Sequence, residues 1–292
     1  MNKDIRPLIT IITATYNAEK TIEQTISSVL SQDYNNIEYI IIDGKSCDGT
    51  LDKISKYKED RRLKVISEPD NGLYDALNKG VKIATGDYIE IIGADDALAD
   101  SHVVSTVVDE LEDDIDIFSG MEYGVDEKTC RQCLICDNHV ARDKMKYKGG
   151  MIGHAAMFVK KELLEKYPFD LSYRIAADYK FFLQCYYDNK VKFQFSDTLI
   201  AYFSRSGMSS DAETCEKENL RLYEELKLDF YNSKGKDCKS KIKMYLKKIL
   251  SQSKKGNFLI DCYRLLLYYI KSSIIWEKHR CNNKICRWCG KR

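Results

Sequence analysis

Four short apolar runs rich in β-branched residues, separated by stretches of helical periodicity, occupy the opening of this 292-residue chain. They are LITIITAT (8–15), IEYIIID (37–43), LKVIS (63–67) and YIEIIG (88–93). The first two are mostly apolar and β-branched without strict alternation, as strands covered on both faces are. Between them, Thr21 to Ser31 carries Ile22, Ile26, Val29 and Leu30 on one helical stripe, with Thr21 and Gln24 at capping-box spacing. A short helix is expected through Ile54 and Tyr57, and a longer one over LYDALNKGVKIA (73–84). Strands alternating with helices predict a parallel, doubly wound α/β sheet whose ligands sit at the carboxyl ends of the strands. Three polar clusters fall at such ends: Thr15-Tyr16-Asn17, Asp43-Gly44 and Asp95-Asp96.

From about 115 to 210 the pattern becomes mixed, with a helix near 176–188 and strand-like VKFQFSD and TLIAYFS. Beyond Ser210 it turns helical and basic. The division expected is a catalytic unit over 1–210, with halves at about 1–120 and 121–210, and a basic helical extension over 211–292 with a Cys-rich end. The formal net charge of +1 conceals the contrast: 234–292 carries a net of +14 and 1–233 a net of −13. A basic tail suits an anionic partner, although solvated lysines on ordinary helices account for it equally. No apolar run reaches the ~18 residues of a spanning helix, and the N-terminus has no basic-then-apolar leader. The expected location is therefore cytoplasmic.

Adjacent carboxylates at the end of a buried strand repel one another unless a cation or water meets them. Asp95-Asp96 is thus a candidate for an oxygen-preferring divalent ion, Mg²⁺ or Mn²⁺, completed by substrate phosphates. The plainer alternative is that ADDALADS (94–101) opens the next helix. Asp43, after Ile40-Ile41-Ile42, can accept from a ribose or base, or simply close its own turn. Neither GxGxxG nor GxxxxGK[ST] is present, which disfavours a nicotinamide dehydrogenase and a P-loop enzyme. Asp178 sits in the first turn of an amphipathic helix, where the helix dipole alone favours an acid. His154 precedes a strand-like AMFV, and a lone histidine is commonly structural.

The segments TATYNAEKTIEQTISSVLSQ, EYIIIDGKSCDGT, EPDNGLYDALNKGVKIATGDYI, GADDAL, GHAAMF, RIAADYKFFLQ and YFSRSGMSS follow one another over about residues 8–210. In order and spacing they resemble the family 2 (GT-A fold) glycosyltransferases, in particular bacterial polysaccharide-assembling members. The resemblance implies a GT-A-type, mostly parallel sheet with a mixed acceptor-side region. It also implies transfer of a sugar from a nucleotide sugar, usually a UDP-sugar, to an acceptor hydroxyl with inversion. By matching position, Thr15, Tyr16 and Asp43 would line the nucleotide pocket, with Glu68, Asn71 and Lys79 in bordering segments. Asp96 would be the direct metal ligand, Asp95 would face the ribose or donor sugar, and Asp178 would be the general base. His154 and Ser206 are candidate acceptor or phosphate contacts.

Three departures bear on this. Ala94 stands where many members have a third acid, Ala177 where many have Glu, and Ser206-Gly207-Met208-Ser209 replaces the QxxRW segment of processive members. The last favours addition of a single sugar. Acceptors in such pathways are often lipid-linked, and NFLIDCYRLLLYYIKSSIIWEKHR (257–280) has the composition of a helix lying in a membrane interface. The same helix packed on the catalytic unit explains its apolar face as well. Docking on the inner face of the plasma membrane through 234–292 is therefore open, and no nucleic-acid partner is expected.

The eleven cysteines include two clusters. Cys130, Cys133 and Cys136 are one ligand short of a closed zinc site, whereas His279, Cys281, Cys286 and Cys289 supply four candidates. Two other functions compete with a transferase. A sugar-nucleotide pyrophosphorylase shares the architecture but needs a Gly-rich basic loop that TATYNAEK lacks. A non-catalytic nucleotide-sugar-binding scaffold with a basic tail would not need both Asp96 and Asp178.

Overall fold

Strand β1 (Ile9–Thr15) lies between β2 (Ile37–Asp43) and β4 (Tyr88–Ile91), parallel to both, and β3 (Leu63–Ser67) continues the sheet beyond β2. The computed structural model describes residues 6–136, 153–207, 211–227 and 277–278. Alternate side chains of a strand point to opposite faces, and here both faces are covered. Ile9, Ile11, Tyr39 and Ile41 pack against α1 (Ile22–Leu30), α2 (Thr50–Ser55) and α4 (Val103–Glu110). Ile12, Ile40, Ile42 and Ile89 pack against α3 (Leu73–Ile83), α5 (Lys161–Lys166) and α6 (Ala177–Tyr187). This is why the first two strands read as apolar, β-branched runs without strict alternation. Each buried isoleucine contributes roughly 1.5–3 kcal/mol of transfer free energy.

Beyond β4 the sheet turns mixed. β8 (Met157–Lys160) is antiparallel to β4, and β6 (Ile117–Asp126) is antiparallel to β8. β9 (Phe193–Ser204) runs parallel to β6, while β7 (Arg131–Cys136) forms a hairpin with the second half of β6. The two-residue β5 (Ala97–Leu98) pairs with β9, and β10 (Glu277–Lys278) pairs with β7. VKFQFSD and TLIAYFS are therefore one strand. Its register against β6 shifts near Met121, where Ser196 and Thr198 turn aside to donate to the Glu110 carboxylate.

Two local expectations change. Thr21 is the N-cap of α1, but its hydroxyl donates back to the Ala18 carbonyl at 3.3 Å, so no capping box forms. The segment after Asp95-Asp96 is strand, and α4 starts only at Val103 behind an N-cap at His102, so neither aspartate caps a helix. Helix α7 (Ala212–Glu225), capped by Asp211 accepting from the Thr214 amide at 3.1 Å, packs onto α6 through the fully buried Leu222. Among the described residues no helix is long and apolar enough to cross a membrane. The stretch 228–276 and the ligand set His279, Cys281, Cys286 and Cys289 lie outside the described residues.

Candidate active site

The register of the parallel strands sets Thr15 beside Asp43 and Asp43 beside Ser67, all at carboxyl ends. Asp43 is fully buried. It accepts from the Ser67 hydroxyl at 2.6 Å and from the Ser46 amide at 3.1 Å, which ties the 44–46 turn to β3. Gly44 follows for a steric reason: a Cβ there would lie 2.4 Å from Oδ2 of Asp70. The next loop turns into α3 through Gly72, whose φ of 111° belongs to the region glycine adopts without strain. Lys79 holds this loop onto its helix, lying 3.1 Å from Glu68 and donating to the Pro69 carbonyl at 2.8 Å. The Asn71 amide donates to Asp75 at 2.9 Å.

A cleft of about 890 Å³ opens over these strand ends. Of the residues singled out from sequence, Thr15, Tyr16, Asp95, Asp96, His154, Asp178 and Ser206 line it. Asp43, Glu68, Asn71 and Lys79 are not among its lining residues, although Asp70 and Gly72 on either side of Asn71 are. Tyr16 is 63 % exposed, and the buried Thr15 hydroxyl has no partner among the described residues, so it is available to a ligand. Such an orphan hydroxyl is costly unless something hydrogen-bonds to it.

Asp96 is 1 % exposed, and two backbone amides engage it: Gly93 donates to Oδ2 at 3.2 Å and Ser204 to Oδ1 at 2.8 Å. Burial, then the charge of Asp95, push its carboxyl well above the ordinary range. Each Asp96 oxygen keeps a further lone pair, and the half-buried Asp95 adds a second carboxylate to the same cleft. A divalent ion at this pair would relieve both the repulsion and the desolvation, so the residues fit an oxygen-preferring metal. Among the described residues no three His, Cys, Asp or Glu side chains form a ready metal cage.

Behind the pair lies an acid that the sequence pattern concealed within YIEIIG. Glu90 is fully buried, and neither of its carboxyl oxygens has a hydrogen-bond partner among the described residues. Burial, then the charges of Asp96 and Glu122, push its carboxyl well above the usual carboxylate range.

Asp178 occupies the first turn of α6, where its Oδ1 accepts from the Tyr179 amide at 2.8 Å. Tyr74, in the first turn of α3, donates to the same oxygen at 3.0 Å and also to the Ile175 carbonyl. His154 Nδ1 stands 3.7 Å from Oδ2, with its ring edge-on to Phe203. Burial raises the Asp178 pKa above the ordinary value, and His154, the Tyr179 amide and Tyr74 partly offset this. A carboxylate raised toward neutrality and open to a cleft is suited to accepting a proton. Sequence reasoning passed over Tyr74 because it lies on the apolar stripe of a helix. Its signal was position, two residues past the turn glycine.

Beside Asp96, the Ser204 hydroxyl donates to Glu127 at 2.7 Å and lies 2.9 Å from the Ser206 hydroxyl. Cys133 is buried, with the Arg205 guanidinium donating to its sulfur at 3.4 Å, while Cys130 sits in the hairpin turn. That environment suits a held thiol rather than a shared zinc ligand.

The sheet, its two helical layers and the cleft over the strand ends define a GT-A-type transferase. The chain belongs to glycosyl transferase family 2, whose sequence profile matches residues 10–168, more than half its length; it is a glycosyltransferase. It is 28 % identical over 221 residues to a PGL/p-HBAD biosynthesis glycosyltransferase of Mycobacterium tuberculosis, covering 74 % of this chain and 83 % of the relative. It is 44 % identical over 89 residues to the Escherichia coli UDP-Glc:alpha-D-GlcNAc-diphosphoundecaprenol beta-1,3-glucosyltransferase WfaP, covering 30 % of this chain and 36 % of that one. Among solved structures it is similar to the Pyrobaculum calidifontis mannosyltransferase PcManGT in complex with GDP-Man and Mn²⁺. There the TM-score is 0.62 at 17 % identity, over 93 % of this chain and 84 % of the other. Staphylococcus aureus TarS 1–349 in complex with UDP-GlcNAc gives 0.59 at 21 % identity, over 86 % and 74 %. At these identities the structural likeness establishes the fold.

Proposed function

We propose that this enzyme transfers a single sugar from a UDP-sugar to an acceptor hydroxyl, with inversion and with the help of a divalent cation, in the assembly of a surface polysaccharide or glycolipid. The observation that carries the reading is a single cleft lined both by the Asp95–Asp96 pair and by the raised, hydrogen-bonded Asp178. The family supplies the reaction class. The name of WfaP, a UDP-glucose enzyme acting on a diphosphoundecaprenol acceptor, favours a UDP donor and a lipid-linked acceptor, and a saccharide acceptor fits the same chemistry.

In this reading Thr15, Tyr16 and Asp95 hold the nucleotide and donor sugar, with Asp43 fixing the loop beneath them. Asp96 would hold the cation, with Asp95 nearby. Once bound, the cation neutralises the charge that develops on the leaving diphosphate. Asp178 takes the proton of the acceptor hydroxyl as the new glycosidic bond forms. His154, 3.7 Å away, supports the carboxylate from the cleft side. Attack from the face opposite the diphosphate inverts the anomeric centre.

A panel of nucleotide sugars tested for nucleotide release, with and without Mg²⁺ or Mn²⁺, tests the donor and the metal together. Silence with every UDP-sugar, alongside release from a GDP- or TDP-sugar, would overturn the UDP assignment. The anomeric configuration of the product, read by NMR, tests inversion. Peripheral membrane docking rests on the basic excess of 234–292. Flotation with anionic liposomes tests it, and equal partitioning of the full chain and of a chain lacking 234–292 would remove it.

A further inference from the structure

Helix α7 lies beyond the span matched by the family profile, yet one of its side chains reaches the turn that carries the base. Glu218 accepts from three consecutive backbone amides: Arg174 at 2.7 Å on Oε1, and Ile175 and Ala176, both at 2.9 Å, on Oε2. These amides immediately precede α6, in which Asp178 is the second residue. Successive amides ahead of a helix concentrate positive potential and need acceptors. A carboxylate, with two oxygens and about four lone-pair sites, satisfies all three at once. On the other side of the same turn, the Ile175 carbonyl accepts from Tyr74. Ile175 is thus held through its N–H by α7 and through its carbonyl by α3.

The helix does not depend on Glu218 for its attachment. Leu222 is fully buried, Tyr223 meets Tyr179 at 3.0 Å, and Glu225 accepts from Tyr173 at 2.8 Å and Lys180 at 2.7 Å. Arg221 donates to the Ser172 carbonyl at 3.0 Å and lies 4.3 Å from the centre of the Tyr173 ring. Removing one carboxylate therefore perturbs the turn while leaving the helix docked.

We propose that Glu218 is a positioning residue for glycosyl transfer: by binding the amides of 174–176 it fixes the turn that presents Asp178 to the cleft, which makes α7 part of the active centre. The inference rests on Asp178 being the base. Displacement of a base by a fraction of an ångström to an ångström costs up to about a hundredfold in rate, whereas the nucleotide side of the cleft would not sense it. An empty nest of three amides is also a site for a small carboxylate from solution.

The test compares full-length E218A, E218Q and D178N for nucleotide release, donor KM and UDP affinity by calorimetry, with and without formate. The expected result is a kcat lowered about tenfold to a hundredfold in E218A and E218Q. Donor KM and UDP affinity should stay within about twofold of wild type. Formate should restore part of the E218A rate and none of the D178N rate. Wild-type kcat in E218A beside an inactive D178N would overturn this inference alone. An active D178N would instead overturn the base assignment. Parallel loss of UDP affinity and melting temperature in both Glu218 variants would reduce Glu218 to a structural contact and likewise overturn the proposal.

Discussion

The two halves of the cleft are built by different rules. On the side proposed for the nucleotide, neighbouring parallel strands end together, and register alone aligns Thr15, Asp43 and Ser67. On the side proposed for the acceptor, Asp178 is held by Tyr74, His154 and the Tyr179 amide, while Glu218 binds the turn before it. These partners come from distant parts of the chain. A side chain placed by sheet register is insensitive to any one neighbour, whereas one placed by converging side chains depends on each of them.

Substitutions can break or sharpen that contrast. The largest effect is expected from Asp178→Asn, which should lower kcat by about 10²–10⁴-fold while UDP affinity, measured by calorimetry, stays near wild type. If UDP binding fell with it, the two halves would not be separable. Asp96→Ala should act in the opposite sense, weakening metal-dependent UDP binding by about a hundredfold; an unchanged titration would remove Asp96 from the metal role.

Tyr74→Phe should reduce kcat about tenfold, the scale of a hydrogen bond to a charged group. It should also displace the acid limb of the pH–rate profile. Burial already raises Asp178, so activity should be lost as pH falls through a value above that of an ordinary aspartate. Tyr74 stabilises the charged form, so its removal should move that limb to higher pH. A limb that stays in place would show that Tyr74 serves only the Ile175 carbonyl.

The smallest functional effect belongs to Glu38→Gln, at the far end of the sheet. Burial opposes ionisation of Glu38, but the Lys64 ammonium, the Thr10 hydroxyl and the Thr85 amide and hydroxyl hold it down to about 2. A depressed carboxylate contributes stability above the ordinary glutamate pKa, and that contribution is lost as pH falls toward 2. The variant should melt a few degrees lower at pH 7, with a flatter acid-side slope and unchanged nucleotide release.

The same contrast explains what could be read from the chain. β1, β2 and β4 were legible because burial on both faces favours apolar, β-branched residues along them, and polar residues stand out where they end. β9 was read as two pieces because Ser196-Asp197-Thr198 leaves the register, which a one-dimensional pattern cannot tell from a loop. Asp178 was found by its place in a motif. Tyr74 and Glu218 were not, because each acts on residues 101 and 43 positions away along the chain. Glu90 was hidden by the same apolar run that identified its strand.

The position of Tyr74 also limits how this enzyme can be taken apart. Its helix starts at the loop behind the proposed donor side, and its hydroxyl ends on Asp178, the proposed base. A hybrid joined between β4 and β5, the seam the sheet itself suggests, would inherit Tyr74 from one parent and Ile175, Asp178 and Glu218 from the other. Exchange of donor preference by such grafting should succeed only where both parents place that phenol at the same height above the same carbonyl.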